Sequence, residues 1–356
     1  MSGSTPAVGL VITRPGEGGR RRPHSPGGPV TRPSPRIRLV AAAVLALSLA
    51  VAPAALAAPA PQAGPRAVLD VVSDVQGDLP DLAHTLADLD DLGRDADGPG
   101  PADALVVNGD LVPSGTVAEY EAFTAALAAG PPRARTLAAI GNHEYYTGEP
   151  DAVLTERFLR YTGMPAPYHR SDVRGVPVLF LGSVAAPGDD AYAVLGDEQL
   201  DWFDRELDRA SARPGPVLVF SHHPLLDTVS GTRGATGADN YCCQYPRPEH
   251  DRLLQIMGDH PDVVFLTGHT HYDLGLDDWA VRRTVPGGHP EGFTAVNTGS
   301  LQTQWSTAPD GSEVAAPTRA MNQGLRLVVD GGRTVVEAHD FAADTVVNRI
   351  EITTGG

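Results

Sequence analysis

Five short apolar runs in this sequence are each followed at once by side chains that can bind metal ions. The runs contain many β-branched residues, and each is closed by a glycine or a serine, as strands of a layered α/β fold are. Because such folds place their functional groups beyond the carboxyl ends of the strands, we expect these side chains to converge. In chain order they are Asp74 in SDVQGD, Asp110 in VVNGDL, Asn142 and His143 in GNHE, His222 in SHHP, and His269 and His271 in GHTH. Carboxylate, amide and imidazole groups that converge from separate loops are what a pair of divalent cations needs.

Amphipathic segments separate these runs and predict helices between the strands. Leucines recur at helical spacing in the first such segment, and Thr116 with Glu119 forms a capping box that opens the second. The predicted helices are 79–92, 116–129, 197–210 and 249–257. Strands that alternate with helices in this way indicate an α/β protein.

Residues 1–57 are predicted to be a signal peptide with an N-terminal extension. They contain seven arginines, an apolar run over 39–52, and a small-residue sequence at 55–57 that is suited to cleavage. The alternative is a membrane anchor, but the 14 residues of the run are fewer than the roughly 20 that span a bilayer. We therefore expect a secreted or extracytoplasmic protein without a stable membrane anchor, whose exported form starts near Ala58. The long basic segment also leaves open a start codon downstream of Met1.

Residues 58–356 are predicted to form one large α/β domain. Near its end, three segments show the pattern of antiparallel strands, namely 324–330, 333–339 and 346–352, with a tight hairpin turn at 330–332. We expect residues 324–356 to complete a sheet, the second of the fold.

The charge of the chain limits its partners. Without the seven arginines and one glutamate of residues 1–57, the chain carries 20 basic and 43 acidic residues, a formal charge of −23. Such a surface repels polyanions, so we expect a small substrate rather than nucleic acid, and an anionic substrate would have to be captured locally by metals. The sequence contains no lysine, which excludes Schiff-base chemistry and a Walker-type phosphate loop.

The only cysteines, Cys242 and Cys243, are adjacent. They cannot join distant parts of the fold, so they form either a strained vicinal disulfide or two free thiols. In an exported protein we favour the disulfide. The surrounding loop, with glycine and aspartate over 227–240, is expected to shape the substrate pocket.

Taken together, the five motifs resemble those of the calcineurin-like metallophosphoesterase superfamily. The resemblance implies a four-layer αββα sandwich with two mixed sheets. It also implies a centre of two divalent or trivalent metal ions, with manganese, iron, zinc and calcium as the candidates. One position departs from the family pattern, because Gln76 stands where the family usually has a histidine.

Carried over position by position, the resemblance implies a role for each candidate residue. One metal would be held by Asp74, His271 and Gln76, although whether Gln76 is a ligand stays open. The other metal would be held by Asn142, His222 and His269, with Asp110 bridging the two. His222 is preferred to its neighbour His223 because it lies two residues before Pro224. His143 would donate a proton or hydrogen bond towards the leaving oxygen.

The implied activity is hydrolysis of a phosphomonoester or phosphodiester by a hydroxide that bridges the two metals. An alternative, suggested by Gln76, is a catalytically impaired protein of the same fold that binds metal or phosphate. A purple acid phosphatase would need a tyrosine shortly after Asp110, and Leu111, Val112 and Pro113 provide none. The sequence leaves the natural substrate, the metal identity and the oligomeric state open.

Overall fold

The computed structural model describes residues 10–12, 66–185, 193–232, 245–307, 313–316 and 321–354. Most of the expected signal segment, the cysteine pair 242–243 and the loop 233–244 lie outside the described residues. All the described elements belong to one compact unit.

The strands and helices have the following bounds. The strands are β1 (Leu10–Ile12), β2 (Arg66–Val72), β3 (Ala104–Asn108), β4 (Thr136–Ala139), β5 (His169–Val173), β6 (Val176–Leu181), β7 (Val217–Ser221), β8 (Val263–Thr267), β9 (Ala280–Arg283), β10 (Phe293–Asn297), β11 (Trp305–Thr307), β12 (Glu313–Ala315), β13 (Gln323–Asp330), β14 (Arg333–Asp340) and β15 (Thr345–Thr353). The helices are α1 (Leu79–Arg94), α2 (Val117–Ala129), α3 (Asp151–Thr162), α4 (Gly196–Ser211) and α5 (Arg247–Gly258). A 3₁₀ turn covers His143–Tyr145.

Two mixed sheets form the centre of the fold. The first has the strand order β1-β15-β14-β13-β2-β3-β4, in which β2, β3 and β4 run parallel. The second has the order β5-β6-β7-β8-β10-β9, in which β6, β7, β8 and β10 run parallel. Strands β11 and β12 form a separate antiparallel pair. The parallel strands of both sheets therefore end in loops that can carry a site.

Three hydrophobic cores show that the fold has four layers. Alternate residues of a strand point to opposite faces, so Val106 packs between the sheets whereas Val107 packs against α1, α2 and α3. In the second sheet, Phe220 lies between the sheets and Val219 packs against α4 and α5. Both faces of both sheets are thus covered, which confirms the expected αββα sandwich.

The C-terminal strands correct one expectation. Strands β13, β14 and β15 do form an antiparallel set, but they extend the first sheet and not the second. Strand β13 pairs antiparallel with β2, from Leu325 opposite Val71 to Asp330 opposite Arg66. Strand β3 pairs with one edge of β2 and leaves the other edge open. The backbone groups of that open edge would be unpaired without β13, which explains why β13 joins the first sheet.

Candidate metal centre

The predicted ligands lie at the carboxyl ends of parallel strands, in tightly bent backbone. Eight non-glycine residues of the described segments have positive φ, and five of them are candidate ligands. They are Asp74 (φ 53°), Gln76 (φ 44°), Asp110 (φ 52°), His269 (φ 69°) and His271 (φ 53°). Such conformations are uncommon outside glycine and persist only where the surroundings enforce them. Their concentration at these loops marks this end of the sheets as the candidate functional end.

Asn108, the last residue of β3, joins the two sheets beneath the site. Its side-chain amide donates to the carbonyl oxygens of Ser221 (3.2 Å) and Leu266 (3.3 Å), at the ends of β7 and β8. Its own carbonyl accepts a hydrogen bond from His222 Nδ1 at 2.8 Å. This buried asparagine therefore fixes the relative positions of three strand ends.

Backbone carbonyls set the ring nitrogens of two predicted ligands. His222 Nδ1 donates to Asn108 O, and His271 Nδ1 donates to Thr303 O at 2.7 Å. Because a carbonyl oxygen only accepts, both Nδ1 atoms carry the proton and both Nε2 atoms face the cluster. This is how ligating histidines are commonly oriented by their outer partners.

The first predicted ligand set comes together around Asp74. Its Oδ1 lies 2.9 Å from His271 Nε2, and the side chain is fully buried. The Gln76 amide nitrogen lies 3.0 Å from Asp110 Oδ2 and 3.3 Å from His271 Nε2. The oxygen and nitrogen of a glutamine amide are exchanged by a half-turn, so the structure places this side chain at the cluster without deciding which atom faces it.

The second predicted set shares Asp110 with the first. His222 Nε2 lies 3.1 Å from Asp110 Oδ2 and 3.3 Å from His269 Nδ1, which in turn lies 2.9 Å from Asn142 Oδ1. Asp110, His222 and His269 can together hold one ion, and Asp74, Asp110 and His271 another, with the ligand atoms of each group within 4.8 Å of one another. All seven predicted ligands are therefore brought together, and Asp110 belongs to both groups.

The residues present fit metal ions. Asp74 Oδ1 is buried and receives no hydrogen bond, although His271 Nε2 is only 2.9 Å away. A buried carboxylate oxygen without a hydrogen bond is costly, and a cation bound by both this oxygen and His271 Nε2 would satisfy it. The mixture of carboxylate, amide and imidazole donors suits manganese, iron or zinc.

The charge of the cluster leads to the same conclusion. Burial alone would lower the pKa of His222, but the Asp110 and Asp74 carboxylates outweigh burial and raise this pKa to about 10. Burial is likewise outweighed at His271, whose pKa is raised by Asp74. Burial, together with the nearby rings of His223 and His222, holds the pKa of His269 well below its usual value. The two carboxylates stabilise positive charge here, whether ring protons or metal cations carry it.

His143 is placed differently from the ligand histidines. Its Nδ1 donates to Pro113 O at 2.7 Å, and its Nε2 lies 3.8 Å from Asp110 Oδ2. The ring is 26% exposed, whereas His222 is fully buried. His143 therefore lies at the rim of the cluster, where a bound substrate could reach it.

Glu144 ties the loops after β3 and β4 together. Its buried carboxylate accepts hydrogen bonds from the backbone N–H groups of Asp110 (3.1 Å), Leu111 (2.7 Å) and Gly141 (2.6 Å). Gly141 must be a glycine, since a Cβ there would collide with the Asp110 carboxylate. The acid of the GNHE motif thus holds the backbone of Asp110 in place and is not itself a candidate ligand.

Sequence reasoning did not identify the segment 300–305 or Tyr146. Leu301 N donates to Ser73 O at 3.1 Å, and Trp305 N donates to His271 O at 2.8 Å, so this segment clamps the backbone beside Asp74 and His271. These contacts use backbone atoms, which leave no sequence signal. Tyr146 was identifiable only as an aromatic residue close to GNHE.

Solved structures with a similar fold come from distant proteins. A dimetal phosphatase from Danio rerio shares 15% identity over 81% of this chain and 99% of that chain, with a TM-score of 0.53. GAP50, the anchor in the inner membrane complex of Plasmodium, shares 10% identity over 82% of this chain and 90% of that chain, with a TM-score of 0.48. At 15% identity, the similarity to the dimetal phosphatase shows the fold alone. No curated protein sequence matches the chain significantly.

Family sequence models match the chain in two adjoining parts. A domain of unknown function, DUF4073, matches residues 274–356. The calcineurin-like phosphoesterase model matches residues 68–273, which is more than half of the chain and includes every candidate ligand. The chain therefore belongs to the calcineurin-like phosphoesterase family.

Proposed function

We propose that this protein is a metal-dependent phosphohydrolase that cleaves a small phosphomonoester or phosphodiester at a two-metal centre. The observation that carries the proposal is the position of Asp110, whose carboxylate belongs to both potential metal-binding groups. A carboxylate has two oxygens and can serve two cations at once. Two cations would lower the pKa of a water molecule between them and neutralise charge on the attacking and leaving oxygens.

The residues of this chain supply the remaining requirements. Asp74, Asn142 and His222 are buried, and His269 and His271 are partly buried, so the binding groups are organised in advance. His143 stands at the exposed rim with Nδ1 occupied by Pro113 O, which leaves Nε2 to donate to a leaving oxygen when the ring carries both protons.

The acidic composition favours a small substrate over nucleic acid. No helix within the described segments combines the length and apolar character needed to cross a bilayer.

Export of the chain is part of this proposal and rests on the sequence of residues 1–57 alone. N-terminal sequencing of extracytoplasmic protein should find Ala58 or a close neighbour, and an intact N-terminus confined to the cytosol would contradict export.

A single assay tests the activity. Protein covering residues 58–356 is stripped with a chelator and then assayed against paired model monoesters and diesters with manganese, zinc, iron or calcium added back. We expect activity that depends on added metal and responds to substrate type. Absence of turnover with every metal, despite metal binding, would contradict the hydrolase.

A second candidate function is a protein that binds metal or phosphate without turnover. The observation that favours it is Gln76, whose side-chain amide lies 3.0 Å from Asp110 Oδ2 where the family usually supplies a histidine ligand. This candidate predicts bound metal and no hydrolysis in the same assay. The rim position of His143 favours the enzyme, since a binding protein needs no group beside the leaving oxygen.

Replacing Gln76 with histidine should strengthen the first metal site selectively. A glutamine offers at most a neutral oxygen, which binds late transition metals more weakly than an imidazole nitrogen does. In the wild type, the first site should therefore hold zinc less tightly than the second and lose its metal first on mild chelation. Gln76→His should raise affinity there and shift preference towards zinc or iron, as measured by metal titration with elemental analysis.

The second site is the internal control for this substitution. Its ligands Asn142, His222 and His269 do not include Gln76, so its affinity should stay nearly unchanged. Equal affinities of the two sites in the wild type, together with no effect of Gln76→His, would show that Gln76 is not a ligand.

A further inference from the structure

Tyr146 contacts two functional residues of the cluster from its solvent side. Its hydroxyl lies 2.5 Å from Asn142 Nδ2, and its ring centroid lies 4.5 Å from that of His143. The side chain is 43% exposed, although its hydroxyl reaches an asparagine that is only 4% exposed. Burial in the hydrophobic core therefore does not explain the position of this tyrosine, whose hydroxyl contacts a buried candidate ligand.

The contact matters because an asparagine amide has two unlike ends. Its oxygen can bind a cation, whereas its nitrogen carries two protons and cannot. In the structure Asn142 Oδ1 faces His269 Nδ1 at 2.9 Å, inside the second ligand set, and Nδ2 faces outward to Tyr146. In the described part of the chain, Tyr146 is the only hydrogen-bond acceptor that the structure gives to this Nδ2.

We propose that Tyr146 is a positioning residue for the second metal site. By accepting a hydrogen bond from Asn142 Nδ2, its hydroxyl holds the amide in the orientation that aims Oδ1 at the metal. Without this hydrogen bond, the Asn142 amide could rotate by 180° at little energetic cost. Its oxygen would then point away from the cluster, and the second site would lose one ligand. This inference rests on the proposed two-metal centre and adds a residue that touches neither metal.

The first test is Tyr146→Phe, which removes the hydroxyl and keeps the ring beside His143. Calorimetric titration of stripped protein with Mn²⁺ should show affinity at the second site falling by about 10- to 100-fold, the usual effect of losing an outer partner of a ligand. The first site should be unchanged. The two sites are assigned with His271→Ala, which loses a ligand of the first set only.

Tyr145→Phe is the matched control. Tyr145 is the adjacent residue, and its hydroxyl contacts Ser183 O and Thr155 Oγ1 but no candidate ligand. It should leave both Mn²⁺ affinities unchanged, even if it lowers the melting temperature. Equal loss of Mn²⁺ affinity in the two variants would show a general structural effect and overturn the proposal.

A double-mutant cycle separates orientation of the amide from packing. An aspartate at position 142 presents an oxygen in either orientation, so it needs no partner to select one. In the Asn142→Asp background, Tyr146→Phe should therefore lose most of its effect on Mn²⁺ affinity. If Tyr146 acted only through packing, the substitution would lower Mn²⁺ affinity by the same factor in both backgrounds.

The outcomes distinguish this inference from the proposed function. Two Mn²⁺ sites in the wild type that are both indifferent to Tyr146→Phe would overturn the role of Tyr146 and leave the hydrolase standing. A full effect of Tyr146→Phe that persists in the Asn142→Asp background would also overturn it. Failure of the wild-type protein to bind Mn²⁺, Zn²⁺ or Fe²⁺ at all would overturn the two-metal centre itself, and this inference with it.

Discussion

Asp110→Ala is expected to abolish turnover and to remove both metals. Asp110 Oδ2 lies 3.1 Å from His222 Nε2 in one potential metal-binding group, and the same carboxylate belongs to the other group. Its loss should weaken each site by at least about 10²-fold, because even an outer partner of a ligand contributes 10- to 100-fold. Elemental analysis after gel filtration and a phosphodiester assay measure the two effects.

Two further variants keep this prediction decisive. Asp110→Asn preserves the shape of the side chain and its contact with His143 N at 3.0 Å, but it offers one neutral oxygen in place of two anionic ones, so we expect a folded protein with weakened metal binding. Asp70→Asn changes a buried aspartate of β2 that pairs with Arg326 away from the cluster. It should keep both metals. Full metal content in Asp110→Ala would refute the bridging role.

The sequence predicted the parts of the fold in which local pattern and burial agree. Strands β2, β3, β7 and β8 are apolar runs closed by glycine or serine, and they are buried on both faces. The capping box at Thr116 starts α2 as predicted. Because each parallel strand ends beside its neighbours, the residues that follow these runs could be expected to meet.

The sequence did not predict elements whose formation depends on distant partners. Strand β5 has the sequence HRSDV, with one aliphatic residue, and its only neighbour in the described sheet is β6. Strand β10 lies between β8 and β9 and was not separated from the surrounding loops. The choice of sheet for β13 was also beyond local pattern, since it depends on which edge of β2 is open.

The candidate site shows the same division. Its ligand types and their order are visible in the sequence, whereas the groups that orient them act through backbone atoms. Asn108 O and Thr303 O set the rings of His222 and His271, and any residue at either position has a carbonyl. The region that matches the domain of unknown function supplies Thr303, so it completes the site and is not an appendage to it.

His143→Ala should keep both metals and slow hydrolysis by about 10² to 10⁴, the usual contribution of a general acid. The structure explains why metal binding should survive. The contact that orients Asp110 comes from the backbone N–H of His143, which donates to Oδ1 at 3.0 Å and remains in the alanine variant. The imidazole itself is held at the rim by Pro113 O. Comparison of metal content and turnover number in the two proteins measures both effects.

The dependence on leaving group gives this prediction its sharpest test. A nitrophenolate departs without help from a proton, whereas an alkoxide needs one, so His143→Ala should slow alkyl esters far more than nitrophenyl esters. His84→Ala serves as the control, because His84 is an exposed residue of α1 whose ring lies 3.4 Å from Asp88 and touches no site residue. Loss of metal from His143→Ala would make this residue a ligand. An equal slowing of alkyl and nitrophenyl esters would instead assign it to substrate binding, since proton donation must depend on the basicity of the oxygen that receives the proton.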